Sequence, residues 1–398
     1  MTEVQGRWDP GFEDVVAQFR TNLAERGEIG AALNVLVGGE PVVDVWAGTT
    51  AKHDGRPWQA DTLVTVHSCT KGATALCAHL LVDRGELDLD APLADVWPEL
   101  PAAQQGATVR MALDHSLGLP AIRTPLNAGD VCDWDTMVAA LEGTEPWWEP
   151  GTRNGYHVLT FGWTVGELVR RVSGRSLGRF FRDEVTEPLG GLDFSIGLPE
   201  AEHGRMARIV PWKPGPDHRS VFTDALLADR AGISALALLN NGGISANDPA
   251  CWSAEIGGGG GVASARGLAG MYRPLAAGGG DLVSNEAVHR MGAVAGASAV
   301  DATLRIGTRF GLGFMVSIDN RRAAEGARDS AVIGSRAFGH PGAGGSIGFA
   351  DPECDLAFGY VMNQMGAGIL LNERGQSLVD ATYRCLGYRT NIPGAWVR

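Results

Sequence analysis

Apolar positions change their period twice along the chain. Phe12, Val15, Val16, Phe19 and Leu23 recur at steps of three and four, which predicts an amphipathic helix over 11–26, stopped by Gly27. "AALNVLVGGEPVVDVWAG" then reads as two strands about Gly38-Gly39, a hairpin signal. Near the other end, "FGLGFMVSI", "AFGHPGAGGSIGFADP" and "LAFGYVMN" read as three more strands, and a last helix is predicted around 373–386. The middle has helical periodicity at 72–84, 135–142, 161–173, 176–186 and 264–276, with Pro- and Gly-rich loops between. The pattern predicts a discontinuous α/β sheet domain (1–67 and 300–398) with a mainly helical region (68–299) inserted into it.

Composition narrows the class without changing this picture. Of 398 residues, 44% are apolar and 20% charged, as in ordinary globular proteins. A net charge of −13 argues against a nucleic-acid partner, which would require a basic face. The first residues lack the basic and apolar regions of a secretory signal, and no run approaches 18 apolar residues. Six scattered cysteines without a C-x-x-C pair fit reduced thiols. The expectation is a cytoplasmic protein with no membrane partner. Self-association into a homo-oligomer stays open.

Candidate chemistry starts at "VTVHSCTKGATALCAHLLVDRGEL". Lysine occurs three times, at 52, 71 and 213, while arginine supplies the remaining basic residues. Lysine differs from arginine in that burial can pull its pKa down until it serves as a base. Ser68 stands three residues before Lys71, hence on the same helical face. The helix start would also aim free N–H groups at a developing oxyanion. Nucleophile, base and anion site would then converge within one turn. S-x-x-K is common, and a snorkelling lysine at a helix start is the competing reading. Neither other lysine has a serine three residues before it. Tyrosine is scarce as well, and Tyr156 lies in the loop "PWWEPGTRNGYHVLTFGW". A phenol there can shuttle a proton, or it can simply anchor the loop by its hydroxyl.

Together, "SCTK" at 68–71, "GTRNGYHVLTFGW" at 151–163 and "FGHPGAGGSIGFADP" at 338–352 resemble the three active-site motifs of the serine β-lactamase-like superfamily. "DHSLGLP" at 114–120 is similar to that family's H-x-S-G-L-P segment, with Leu117 where serine is usual. The resemblance is nearest to the class C β-lactamase fold and its family VIII carboxylesterases, with the 6-aminohexanoate-dimer hydrolases in the same group. It implies an antiparallel sheet flanked by N- and C-terminal helices, plus an all-helical region, with the site between them. It also implies Ser68 as the acylated nucleophile, Lys71 as its base partner and Tyr156 as the proton carrier to the leaving group. The oxyanion would lie between the N–H groups of Ser68 and Ala343. His340-Pro341-Gly342 stands where the family has K-T-G, so His340 and Gly342 are expected at the substrate, with no metal and no cofactor.

Departures from that pattern point to the substrate. The K-T-G lysine that helps hold an antibiotic carboxylate is histidine here, and the Tyr-x-Asn of class C enzymes is Tyr156-His157-Val158. An ester asking mainly for an apolar pocket fits this loss. Trp147, Trp148 and Trp252 are candidates to line such a pocket. The expected activity is a serine esterase acting on a small-molecule ester. Alternatives are an amidase, peptidase or acyltransferase on short amides, D-amino-acid peptides or nylon-type oligomers, and a penicillin-binding sensor acylated once. "GGSIG" at 344–348 imitates the nucleophile elbow of α/β-hydrolases, but no histidine follows it, so Ser346 is not the expected nucleophile. "KPG" at 213–215 imitates K-T-G away from any strand. "GGGGG" at 257–261 reads as a flexible loop rather than a nucleotide-binding turn. His115 and His157 are expected to satisfy local hydrogen bonds rather than bind metal.

Overall fold

The computed structural model describes residues 3–53, 55–215 and 218–398. Strand β1 (Gln5–Trp8) precedes helix α1 (Glu13–Glu25) and the hairpin of β2 (Gly30–Val37) and β3 (Glu40–Gly48). A short strand β4 (Val64–Thr65) enters a 3₁₀ turn at His67–Cys69 and then α2 (Thr70–Asp83). Helices α3 (Pro101–Gln104), α4 (Val109–Leu113), α5 (Trp134–Glu142), α6 (Phe161–Ser173) and α7 (Leu177–Phe181) follow. After β5 (Phe194–Ser195) come α8 (Val221–Ala228), α9 (Ile233–Leu239) and α10 (Pro249–Ser253). After β6 (Val262–Ala263) come α11 (Ala265–Ala276) and α12 (Asn285–Gly292). The chain closes with β7 (Gly296–Ser298), β8 (Thr308–Phe310), β9 (Met315–Val316), β10 (Phe338–Pro341), β11 (Ile347–Asp351), β12 (Leu356–Met362) and α13 (Glu373–Cys385).

A nine-stranded antiparallel sheet runs in the order β1-β3-β2-β12-β11-β10-β9-β8-β7. Its centre joins the two chain ends: β2 pairs with β12, with Leu33 opposite Tyr360. Gly38 and Gly39 turn the first hairpin with φ of 59° and 83°, the left-handed pair that a two-residue hairpin turn requires. Helices α1 and α13 pack together and cover one face with an apolar layer that includes Phe19, Leu33, Phe358 and Val379. The other face meets α11, which lies within the interval 68–299 yet packs against β2, β11 and β12. Beyond it, every residue of α2 from Thr70 to Leu81 is buried, as befits a helix enclosed on all sides by α6, α7 and β10.

Several expectations change in detail. "AFGHPGAGGSIGFADP" holds two strands, β10 and β11, because Gly344 and Gly345 take φ of 89° and 120° and reverse the chain between them. "FGLGFMVSI" spans the turn from β8 into a two-residue β9. The 176–186 helix is α7 continued by a π-helical turn, Arg182–Thr186. Strands β1 and β4 to β7 and helices α3, α4, α8, α9, α10 and α12 join the predicted elements.

Candidate active site

The chain reaches Ser68 through His67, whose φ of 47° is unusual for a residue with a side chain. This kink sets Ser68 in the 3₁₀ turn at the head of α2. One turn on, the Lys71 side chain is 0% exposed, and its Nζ lies 3.2 Å from Ser68 Oγ. Two further contacts at 2.6 Å go to the carbonyls of Val158 and Gly258. Burial holds the pKa of this amine well below the ordinary lysine value. The face of the Tyr156 ring, 4.7 Å from Nζ, acts in the opposite sense by about 0.5–2 kcal/mol. That is less than the several kcal/mol it costs to bury a lone ion, so desolvation decides the direction.

Tyr156 is buried, and its phenol pKa is raised by that burial, with a hydrogen bond to Ser68 pulling back. Its Oη lies 3.3 Å from His340 Nε2. The other nitrogen of that ring, Nδ1, is 2.7 Å from the carbonyl of Pro341. A carbonyl only accepts, so Nδ1 carries the hydrogen, and Nε2 of the neutral ring accepts from the Tyr156 hydroxyl. Burial keeps this imidazole neutral, its pKa pulled down to about 3. The Tyr156 loop is fixed from below by Asp301. That carboxylate accepts from the backbone N–H groups of Tyr156, Thr303 and Leu304 and from the Thr308 hydroxyl. His115 packs beside the phenol ring at 5.0 Å, and its Nδ1 accepts the backbone N–H of His157. His157 in turn bonds Gly155 and Leu119, so both histidines make local hydrogen bonds.

A cavity of about 200 Å³ opens onto Ser68 and Ala343. Val158, Leu159, Leu238, Ile244, Cys251 and Trp252 supply its apolar wall, and among the described residues no Lys, Arg, Asp or Glu lines it. Of the three candidate tryptophans only Trp252 faces it, its Nε1–H held by the carbonyl of Ala246. Trp147 and Trp148 instead donate to the carbonyls of Ala121 and Ser116 and stay outside the cavity wall. His340 and Gly342 were expected at the substrate, but neither lines the cavity. His340 lies behind Tyr156. Gly342 is pressed against the turn before Ser68: a Cβ there would stand 2.4 Å from the carbonyl oxygen of Val66 and 2.3 Å from Ser346 Oγ. The turn carrying Ala343 is tied down from α13, where Asn372 and Arg374 donate to the carbonyl of Gly344.

The decoys fall elsewhere. Ser346 is buried in the β10–β11 turn and donates to the carbonyl of Val66, with no helix after it. Lys213 is exposed in an irregular segment. The 257–261 glycines are largely buried against α6 rather than loose, and Gly258, Gly259 and Gly260 line the cavity. All six cysteines are free thiols, with Cys132 and Cys251 sulfurs 3.7 Å apart. Among the described residues no helix is long and apolar enough to cross a membrane.

Sequence reasoning missed the carbonyls of Val158 and Gly258, the Asp301 anchor and the reach of His340 to Tyr156. As placed, a hydroxyl, a desolvated amine and a phenol meet at one point beside a neutral apolar cavity. That arrangement can transfer protons to and from a carbonyl addition.

The chain is similar to known proteins over nearly all its length. The profile of the family described as "Beta-lactamase" matches residues 12–378. "Esterase/beta-lactamase LipL" of Mycobacterium tuberculosis is 34% identical over 379 residues, covering 93% of this chain and 85% of that protein. The crystal structure of a family VIII carboxylesterase superposes with a TM-score of 0.83 at 35% identity, covering 96% of this chain and all of the other. A penicillin-binding protein homologue from Caulobacter crescentus gives a TM-score of 0.84 at 32% identity, with the same coverage. The chain is a hydrolase of the beta-lactamase family.

Proposed function

We propose that this protein is a serine carboxylesterase that works through an acyl-enzyme on Ser68. The observation that carries the reading is the surroundings of Lys71 Nζ. A neutral amine has two N–H groups and one lone pair. The carbonyls of Val158 and Gly258 take the two hydrogens, which leaves the lone pair facing Ser68 Oγ. The competing base, a Tyr156 phenolate, is disfavoured, because His340 Nε2 accepts the Tyr156 proton and burial raises its pKa. Lys71 therefore takes the Ser68 proton as Oγ bonds to the ester carbonyl carbon. The carbonyl oxygen gains the negative charge and is met by the N–H groups of Ser68 and Ala343, each such donor being worth about 10²–10³ in rate. When the C–O bond to the alcohol breaks, the leaving oxygen takes back the proton, delivered from Lys71 through Tyr156. Water then repeats the sequence on the acyl-enzyme.

The uncharged wall favours an ester over the alternatives. An ammonium-bearing amide or a carboxylate-bearing β-lactam would meet no opposite charge in the cavity. "Esterase EstB" of Burkholderia gladioli agrees with this choice by name, and LipL is named for both an esterase and a beta-lactamase. The test compares p-nitrophenyl acetate and butyrate with nitrocefin, beside Ser68→Ala. Steady turnover of the esters, little of nitrocefin and none by Ser68→Ala are expected. A single stoichiometric burst would instead identify a sensor, and full activity in Ser68→Ala would remove Ser68 from the reaction.

A further inference from the structure

Six large apolar residues are conspicuously exposed among the described residues, and three of them stand on the neighbouring helices α8 and α9: Leu227 at 61%, Leu238 at 36% and Leu239 at 49%. Leu238 has a second property, since it also forms part of the cavity wall. The apolar lining therefore does not end at the cavity mouth but continues onto the outer face of α9. Just beyond, Asn240 and Asn241 end the helix, and Asn241 is part of the same wall. A cavity of about 150 Å³ takes a benzene ring, so one of about 200 Å³ holds roughly eight heavy atoms, and a longer chain must leave it.

From this continuity we infer that the substrate is an ester with an aliphatic chain longer than the cavity, its tail leaving across Leu238 and lying on the leucines of α9. The inference rests on the esterase reading and names its substrate class. Water-exposed leucines gain by being covered, and an alkyl tail that starts inside the cavity reaches Leu238 first. Among the described residues no charged side chain lines the path inside the cavity, so neither end of the tail is required to be ionic.

The test is a chain-length series of p-nitrophenyl esters from acetate to dodecanoate, measured as kcat/KM for the natural protein, Leu238→Ser, Leu238→Met and Leu238→Ser/Leu239→Ser. The natural protein should prefer octanoate to acetate. Leu238→Ser should lose about tenfold more on octanoate than on acetate, with the double variant widening that difference and Leu238→Met keeping the preference. Equal losses on acetate and octanoate, or no loss on either, overturn the inference. A second readout needs no chemistry: binding of 1-decanol and 1-butanol, followed by tryptophan fluorescence. Tighter decanol binding by the natural protein than by Leu238→Ser supports the tail site, and equal binding overturns it. If no ester of any length turns over, the esterase reading falls, and the alcohol measurement still decides the tail site.

Discussion

Replacing Lys71 by methionine separates a buried neutral base from a buried cation. In the unfolded chain this amine holds its proton up to about pH 10.4, whereas in the fold it gives the proton up far earlier. Between the two pKa values the unfolded state binds one proton more than the native state, so native stability rises with pH across that window. Between the folded and unfolded pKa values the cost of keeping the amine neutral changes by about 1.4 kcal/mol for each pH unit, and it vanishes as pH rises through the unfolded value. Methionine removes this cost, but it also strips a donor from the carbonyls of Val158 and Gly258, each worth about 1–3 kcal/mol when buried. The two effects oppose each other, so the absolute stability difference decides nothing and its slope decides everything. Urea unfolding at pH 7, 8 and 9 should show the natural protein gaining on Lys71→Met by about 1.4 kcal/mol per pH unit. Thiols titrating in the unfolded state contribute equally to both proteins and drop out of the difference. A direct check is available because the chain has three lysines. NMR of ¹⁵N-labelled lysine should give one resonance, absent from Lys71→Met, in the neutral position at pH 7. A stability difference that is flat with pH, or no resonance in the neutral position, would refute Lys71 as the base.

Other substitutions probe the remaining parts. Tyr156→Phe should lower kcat on p-nitrophenyl butyrate by about 10²–10⁴ with a native circular dichroism spectrum, and a kcat within threefold would take the phenol out of the proton path. Gly342→Ala forces a Cβ against the Val66 carbonyl and Ser346, so unfolding should become easier by about 1–3 kcal/mol. The displaced Ala343 turn should also slow acylation, read from pre-steady-state bursts. Unchanged melting and burst rate would mean that the turn has slack its contacts deny. Asp301→Asn sets an amide N–H₂ against the Tyr156 N–H in a site where only the Thr308 hydroxyl can accept, which should cost about 1–3 kcal/mol by chemical denaturation and reduce kcat more than it raises KM. If Asp301→Asn unfolds at the same denaturant concentration as the natural protein, Asp301 does not anchor the Tyr156 loop.

What the sequence could disclose follows from which groups carry side-chain signatures. Ser68 and Lys71 were legible because helical spacing fixes their shared face and because lysine is so rare in this chain. The central hairpin was legible because Gly38-Gly39, set between two apolar runs, can take the pair of positive φ values that a two-residue hairpin turn needs. The partners of Lys71 were not, since Val158 and Gly258 contribute only backbone carbonyls, which every residue possesses. His340 and Gly342 illustrate a different limit. Strand alternation says that neighbours point to opposite sides, but it does not say which side holds the cavity, and these two face Tyr156 and the Val66 turn instead. Asp301 lies 145 positions from Tyr156 in sequence, and nothing local marks a carboxylate that serves distant N–H groups. Helix α11 has the amphipathic period expected of it, yet period alone does not reveal that its partner is the sheet. Strands of two residues, such as β4 and β6, are too short to show any alternation.

The pairing of β2 with β12 also governs how the molecule is made. A ribosome releases β2 early and its neighbour near the end, at about 5–20 residues per second, so the strand waits on the order of tens of seconds for its partner. During synthesis the Ser68 turn emerges long before the β10–β11 turn that braces it, so the site is complete only once nearly the last strands are out. Over the same interval an apolar strand stands with one open edge, a template for pairing with other chains until β12 covers it.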